Sequence, residues 1–472
     1  MIDIDLKKIN LDDVGFLRFR RIKDKYLLTN DSGQSLFLGG RDFMDFIEGR
    51  LDKNSLAYDC LDRKNFLQKT IDVRELSEQY RNKYSYLRRG TSLHIVIPTL
   101  RCNHRCTYCQ ASAHSDKAGG LDMNKKTAKK VVDAIFTSPS NYITIEFQGG
   151  EPVLNWEVVS YIIDISIAKN KRSKKNLSFV LVSNLTLFTN KILKSLLDRK
   201  VNICTSLDGP KFIHDQNRPM INGESGYDLT TKWIKEISLK KPGFSDALVT
   251  LTKLSLNHPQ EIINEYLRWG MCNIPLRPVS TLGYAGQRRD SLGISAHDFI
   301  LFYRKALDYM IELNYTTERL VTERMAKVCL QKIFNQKDPG YLDMRSPCGA
   351  GCGQLAYYYD GRVYTCDEAR MLGDDSFMLG NVNNDSYQDL MQSKKMKAAV
   401  LSSCLDGLYC EYCAYKPYCG VCPVLNWKEF GTIYAQNSGS FMCKVYKGMF
   451  DYIFESLQDK RKERILKSWI GR

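Results

Sequence analysis

The chemistry of this chain is indicated most clearly by the segment Arg101-Cys102-Asn103-His104-Arg105-Cys106-Thr107-Tyr108-Cys109. Its cysteines have the spacing C-x3-C-x2-C and directly follow an apolar, β-branched run at residues 93–98. Three thiolates on one compact loop can bind three irons of a 4Fe–4S cube and leave the fourth iron open to a small molecule. A zinc knuckle with a distant fourth ligand is the alternative interpretation.

Strand-like and helix-like patterns alternate over residues 91–285. The strand-like runs are 93–98, 143–147, 179–182, 201–204, 247–251 and 274–277, and the helical patterns include 125–136 and 191–198. This alternation predicts an α/β fold with a parallel sheet, closed wholly or partly as a (βα)6 TIM-like barrel. In such a barrel the active face lies at the ends of the strands, where polar and glycine-rich residues gather here.

Polar motifs follow the second, third and fourth of these runs. They are Gly149-Gly150-Glu151-Pro152, Ser183-Asn184 and Ser206-Leu207-Asp208-Gly209, with Arg218 further on. Glycines permit close backbone approach, and a carboxylate can pair with an ammonium group. Taken alone, the same residues are also typical of turns and of a surface salt bridge.

Together, the three-cysteine loop and these strand ends resemble the radical S-adenosylmethionine (SAM) superfamily. The resemblance implies a 4Fe–4S cluster on Cys102, Cys106 and Cys109, and SAM contacts from Tyr108, Gly149, Gly150, Glu151, Ser183, Asn184, Ser206 and Arg218. In the family the Gly-Gly-Glu stretch binds the SAM amino group. By the same likeness Ser206 and Arg218 hold its carboxylate, and Ser183 or Asn184 lies near its ribose. One-electron reduction of bound SAM then produces a 5′-deoxyadenosyl radical, which abstracts hydrogen from an unactivated carbon.

Residues 348–443 contain nine of the sixteen cysteines. Eight thiolates are enough for two fully ligated 4Fe–4S clusters, with two structural zinc sites as the alternative. The cysteine order resembles the SPASM domain, the auxiliary-cluster extension of radical SAM enzymes. The resemblance assigns Cys348, Cys352, Cys366 and Cys422 to auxiliary cluster I, and Cys410, Cys413, Cys419 and Cys443 to auxiliary cluster II. Two residues separate Cys419 from Cys422 where the family usually has three, and Cys404 is the best spare ligand.

The remaining regions suggest three further units. Residues 1–90 carry strand patterns at 15–19, 26–29 and 35–38, a turn at 30–33 and two helical patterns. This β-β-β-α-α module resembles the winged-helix-like elements that hold a leader peptide by strand addition, with a plain packing subdomain as the alternative. We expect a helical linker at 286–347, with Phe299, Phe302, Tyr303 and Leu307 on one face, and a basic amphipathic helix at 444–472.

Composition narrows the class of protein. The 472 residues are 43% hydrophobic and 26% charged, which is ordinary for a globular chain. No run reaches the roughly 18 apolar residues that a membrane helix needs, and residues 1–7 do not form a secretory signal. We therefore expect a cytoplasmic protein without a membrane partner. A net charge of +15 favours an acidic partner or a basic solvated surface, but no basic motif interleaved with base-stacking aromatics predicts nucleic-acid binding.

Several segments resemble the radical SAM/SPASM peptide maturases, and in particular the His-Xaa-Ser system maturase of the HxsB type. They are Phe147-Gln148-Gly149-Gly150-Glu151-Pro152, Thr205-Ser206-Leu207-Asp208-Gly209-Pro210, Asn217-Arg218-Pro219 and Leu276-Arg277-Pro278. The resemblance implies a ribosomally synthesised precursor peptide as substrate and a side-chain crosslink as product. The partners to be expected with it are an electron donor such as flavodoxin or ferredoxin, and a companion maturase. The alternatives are a sulfatase-maturase-like oxidation of a Ser or Cys, an RNA-modifying radical SAM enzyme, and a non-enzymatic metal scaffold.

Overall fold

The computed structural model describes residues 9–10, 13–243, 245–336, 338–406, 409–434 and 437–471. Its N-terminal module is an antiparallel sheet in the order β1–β2–β3, followed by helices. The elements are β1 (Arg18–Ile22), β2 (Lys25–Thr29), β3 (Ser35–Gly39), α1 (Gly40–Ile47), α2 (Leu56–Arg63) and α3 (Val73–Lys83). The predicted β-β-β-α-α order is confirmed, and a third helix follows it.

The first predicted strand, at 15–19, was placed three residues too early. The Gly15 N–H donates to the Phe66 carbonyl oxygen at 3.0 Å, so this stretch pairs with the loop after α2. The strand begins only at Arg18, and Lys23, with a φ of 56°, makes the turn into β2.

The central domain is built from parallel strands in the order β4–β7–β8–β9–β10–β12, with helices between them. This confirms the predicted parallel (βα)6 arrangement. The elements are β4 (Leu93–Thr99), β5 (Arg101–Cys102), β6 (His114–Ser115), α4 (Lys125–Thr137), β7 (Tyr142–Gly149), α5 (Trp156–Ser173), β8 (Asn176–Val182), α6 (Asn190–Asp198), β9 (Val201–Ser206), α7 (Lys211–Asn217), α8 (Gly226–Lys240), β10 (Ser245–Leu251), α9 (Pro259–Arg268), β11 (Asn273–Ile274) and β12 (Leu276–Pro278).

The sixth predicted strand, at 274–277, is two short strands. Pro275 separates β11 from β12 and has no N–H to donate to a ladder. β12 continues the main sheet beside β10, whereas β11 pairs with β13 (Thr322–Glu323).

The expected helical linker therefore contributes a strand and packs onto the barrel. It contains α10 (Gly283–Gln287), α11 (Arg289–Leu292), α12 (Ala296–Thr316), β13 and α13 (Arg324–Asn335). The apolar face predicted on α12 is confirmed, because Phe299, Phe302, Tyr303 and Leu307 are all buried.

The cysteine-rich domain extends the barrel sheet, which the sequence did not predict. β14 pairs in parallel with β4, and β15 and β16 continue antiparallel, so the sheet has nine strands among the described residues. The elements are β14 (Gln354–Tyr357), β15 (Arg362–Tyr364), α14 (Asp367–Met371), β16 (Met378–Asn381), α15 (Tyr387–Gln392), α16 (Lys394–Ser402), α17 (Pro423–Phe430), α18 (Phe441–Ser456) and α19 (Lys460–Ser468).

The C-terminal tail differs from the single helix expected at 444–472. α18 begins at Phe441 and carries Cys443. It ends at Ser456, and α19 begins after Asp459. Asp459 caps α19 by accepting from the backbone N–H groups of Arg461 and Lys462. Among the described residues, no helix is both long enough and apolar enough to cross a lipid bilayer.

Candidate active site

The three-cysteine loop is held by the segment that follows α7. The backbone N–H of Arg105 donates to Pro219 O at 2.8 Å, and that of Thr107 donates to Asn217 O at 2.9 Å. The thiols of Cys102, Cys106 and Cys109 all line one cavity of about 1050 Å³. Because these backbone hydrogen bonds fix the loop, it can present three thiolates to a cluster on the inner side of the barrel.

Gly149 and Gly150 pack the end of β7 against the strand that leads into this loop. A Cβ at Gly149 would lie 2.4 Å from Thr99 O, and one at Gly150 would lie 2.1 Å from Arg101 O. Gly149 also has a φ of +130°. The structure thus requires both glycines for a close approach of backbone to backbone, and the expected contact with SAM stays a prediction.

Glu151, Ser183 and Asn184 come together as predicted. The buried Glu151 carboxylate accepts from Ser183 Oγ and from Asn184 N, both at 2.8 Å, and from Val153 N at 3.0 Å. Burial raises the pKa of Glu151, and these donors oppose that rise. Ser206 lines the same cavity. Their individual contacts with SAM stay predictions.

Arg218 and Tyr108 form a buried chain with Asp208. Arg218 Nη1 donates to Tyr108 Oη at 2.8 Å, and Tyr108 Oη donates to Asp208 Oδ2 at 2.6 Å. The Asp208 carboxylate accepts from Tyr108 Oη and also from Thr250 N at 3.2 Å. The sequence did not indicate that Asp208 orients Tyr108.

The Arg218 guanidinium also fits an anionic ligand. Among the described residues its Nε is buried and has no hydrogen-bond partner, and the side chain lines the cavity. Burial raises the pKa of the neighbouring Cys106 thiol to about 11, with Arg218 opposing the rise. A cationic donor beside the cluster cysteines matches the carboxylate of SAM in charge and hydrogen bonding.

Three of the four predicted ligands of auxiliary cluster I line the same cavity, namely Cys348, Cys366 and Cys422. The pKa of Cys366 is raised first by burial and then by Glu368, Cys422 and Cys348, so these groups are electrostatic neighbours. Cys352 Sγ donates to Cys348 O at 3.2 Å. The side chains that perturb the pKa of Cys352 are Arg345 and Cys404, which places the spare thiol Cys404 near this site.

The predicted ligands of auxiliary cluster II also gather. Burial raises the pKa of Cys419, and Cys413, Cys410 and Cys443 raise it further. Cys410 lies in a short 3-10 helix, Cys413 directly follows it, Cys419 follows a second 3-10 helix, and Cys443 lies in the first turn of α18. Of the four, Cys410, Cys419 and Cys443 line the cavity.

Several charged side chains on the cavity wall were not predicted as site residues. Glu146 of β7, Asp367 and Arg370 all line the cavity. Burial raises the pKa of Glu146, and Asp367 raises it further. On β7, Glu146 and Gln148 alternate with the buried Ile145 and Phe147. A charged residue inside an otherwise apolar strand is the sequence feature from which Glu146 could have been predicted as a cavity residue.

Comparison with known families agrees with this geometry. A profile of the radical SAM superfamily matches residues 96–265. A profile of the SPASM iron–sulfur cluster-binding domain matches residues 348–423. The two matches contain the three-cysteine loop and all of the predicted auxiliary ligands except Cys443.

Curated relatives extend the similarity along the chain. A cysteine-type anaerobic sulfatase-maturating enzyme of Clostridium perfringens is 25% identical over 385 residues, which span 78% of this chain and 97% of that protein. The radical SAM cyclopropyl synthase TigE of Paramaledivibacter caminithermalis is 22% identical over 455 residues, which span 92% of this chain and 87% of that protein.

Solved structures share the fold. Native anSMEcpe with bound AdoMet superposes with a TM-score of 0.68 at 20% identity, over 80% of this chain and 99% of that one. Streptococcus suis SuiB bound to precursor peptide SuiA superposes with a TM-score of 0.52 at 13% identity, over 90% and 97%. The chain thus joins a radical SAM domain to a SPASM domain, and it is a radical SAM enzyme whose cofactors are SAM and 4Fe–4S clusters.

Proposed function

We propose that this enzyme modifies a ribosomally synthesised precursor peptide in the cytoplasm, forming a crosslink at a side-chain carbon. The observation that carries the proposal is a single cavity of about 1050 Å³ that both the three-cysteine loop and the auxiliary cysteines line. The cavity has to hold SAM and the iron–sulfur clusters, and it opens the site of a further ligand between them, on walls that come from two domains.

The residues present suit the cofactors. When bound and reduced, SAM on the open iron supplies a radical that abstracts hydrogen from carbon. In this chain, Arg218 would hold the SAM carboxylate, and Tyr108 and Asp208 would fix that guanidinium. The enclosing barrel strands would keep water away from the reacting carbon.

The N-terminal module is firmly attached beside the expected auxiliary cluster II. Arg18 Nη2 forms ion pairs with Asp31 and with Glu411, both at 2.7 Å, and the Arg18 side chain is 1% exposed. Thr29 Oγ1 donates to Ala414 O at 2.7 Å. A peptide held by this module would lie near the auxiliary cysteines, which supports a role for the module in holding the substrate.

The extent of the similarities favours a peptide maturase. The match to SuiB, whose structure includes a precursor peptide, leaves only a tenth of this chain uncovered. That is less than the N-terminal module, so part of the module has a counterpart in SuiB. The HxsB subfamily, the flavodoxin- or ferredoxin-type donor and a companion maturase belong to the same proposal.

A sulfatase-maturase-like reaction is the second candidate. The 25% identity to the C. perfringens enzyme over 97% of that protein supports it. The substrate would then be a Ser or Cys in another protein's recognition segment, and the product would be oxidised at one residue.

Mass spectrometry separates the two candidates. We would incubate the anaerobically reconstituted enzyme, SAM and a reductant with precursor peptides encoded beside its gene and with a cysteine-containing sulfatase-motif peptide. A crosslink removes two hydrogens and ties two residues together in fragment spectra, whereas the second reaction changes one residue to a carbonyl. Cleavage of SAM with no change in any of these peptides would contradict both.

A further inference from the structure

Arg370, which lines the cavity, carries a buried donor that no group accepts within the part of the chain that the structure describes. Its side chain is 1% exposed and lines the cavity, and within the described part of the chain its Nη2 has no hydrogen-bond partner. A buried guanidinium N–H without an acceptor has lost its hydration without compensation, which is costly. Such an atom points to a ligand that supplies the acceptor.

The partner of Arg370 is Asp367. Arg370 Nε donates to Asp367 Oδ1 at 2.7 Å, and both side chains lie on α14, directly after Cys366. Asp367 is 11% exposed and lines the same cavity. The two charges cancel, so the pair offers a donor and an acceptor side by side with no net charge.

The charges on this part of the cavity wall have both signs and do not favour an anionic ligand. Glu146 and Glu368 line the cavity, and Arg277, which also lines it, opposes the rise in the pKa of Glu146. A peptide group carries one N–H donor and one C=O acceptor and no charge. It matches the Asp367–Arg370 pair in both hydrogen bonding and charge.

We infer that the Asp367–Arg370 pair binds one backbone amide of the peptide substrate. Arg370 Nη2 donates to the amide carbonyl oxygen, and the Asp367 carboxylate accepts from the amide N–H. The pair lies on α14 directly after Cys366, and Asp367 is an electrostatic neighbour of Glu146 on β7, so the pair would hold the substrate near Glu146 and the predicted site of auxiliary cluster I. This inference rests on the proposed function, because it takes the substrate to be a peptide.

The test uses the full-length reconstituted enzyme and the peptide that the wild type modifies in the mass-spectrometric assay. The variants are Arg370→Gln and the conservative Arg370→Lys. Arg362→Gln is the matched control, because Arg362 is in the same domain but is about one-third exposed and pairs with Asp360. The readouts are KM and kcat for the peptide, peptide-independent SAM cleavage, iron content and the EPR spectrum of the reduced clusters.

We expect Arg370→Gln to raise KM for the peptide roughly ten- to a hundred-fold, with a smaller effect in Arg370→Lys. Peptide-independent SAM cleavage, iron content and EPR spectrum stay as in the wild type. In a scan of peptides with one amide replaced by an ester, one position weakens binding to the wild type. An ester also weakens the carbonyl acceptor that Arg370 would contact, so the loss caused by the same ester is smaller in Arg370→Gln than in the wild type.

Two results would overturn the inference alone. A KM equal to that of Arg362→Gln shows that Arg370 does not bind the peptide. An altered EPR spectrum or iron content with an unchanged KM shows that Nη2 serves auxiliary cluster I instead. A wild type that cleaves SAM but modifies no peptide removes the proposed function, and the inference with it.

Discussion

The two iron–sulfur regions differ in how their thiols are brought together. Cys102, Cys106 and Cys109 stand on one loop, which backbone hydrogen bonds hold in place. The auxiliary thiols lie between residues 348 and 443 on separate elements, and the domain that carries them is joined to the barrel sheet and the N-terminal module. A local ligand set can be lost without disturbing the architecture, whereas a dispersed set is part of it.

We expect the strongest loss of activity from a substitution in the three-cysteine loop. Cys106→Ala should abolish SAM cleavage, because a cube left with two thiolates on the loop is no longer held. Iron should fall by about four per chain, from about twelve, while thermal unfolding changes little. Iron analysis and 5′-deoxyadenosine measurement check this, and residual SAM cleavage at wild-type rate would contradict it.

The second prediction concerns the predicted ligands of auxiliary cluster II, which lie on separate elements. Cys419→Ala should also remove about four irons, but SAM cleavage without peptide should persist while product formation is lost. Because the Cys419 segment lies beside the N-terminal module, limited proteolysis should release residues from that module faster. A variant as resistant to protease as the wild type would show that cluster II does not support the docking.

A narrower experiment addresses the fourth ligand of auxiliary cluster I. We expect Cys352→Ser to lower the iron content by up to about four per chain and Cys404→Ser to leave it unchanged. The two thiols are neighbours, so each variant is the matched control of the other. The reverse outcome would assign Cys404 as the ligand, and two unchanged variants would leave cluster I with three cysteines.

The smallest effect concerns the contact that joins the N-terminal module to the auxiliary domain. Arg18→Met removes the cation from two ion pairs around a 1%-exposed side chain and should cost roughly 2–4 kcal/mol of stability. Arg20→Met is the control, since Arg20 is 43% exposed in its pair with Asp451 and should cost about 0–1 kcal/mol. Denaturant unfolding measures both, and equal values would contradict the role of Arg18.

Much of the central domain follows from local patterns. The five strands before Pro275 and the helices at 125–136 and 191–198 lie where periodicity places them, because buried parallel strands are apolar on both faces. Two element boundaries differ from those predicted. The first strand began three residues late because Gly15 pairs with Phe66, and the C-terminal helix divided at Asp459 because that side chain caps α19.

The features that were missed depend on contacts distant in sequence. β14 has no pattern that predicts pairing with β4, since any apolar strand of that length could occupy the edge. Asp208 was recognised as a polar strand-end residue, but its partner Tyr108 lies 100 residues earlier. Arg370 looked like one basic residue among 68, and only its burial on the cavity wall distinguishes it.

The class of chemistry could be inferred from the amino-acid sequence without any coordinates. Two local properties can be read from the sequence alone. They are the spacing of three cysteines on one loop and the order of the polar motifs that follow the strands. The tertiary structure decided which residues share the cavity, why Gly149 and Gly150 must be glycine, and how the N-terminal module meets the auxiliary domain. These features depend on packing between segments that are distant in the sequence. The role of a side chain such as Arg370 follows from its burial and its hydrogen bonds, which residue type alone does not predict.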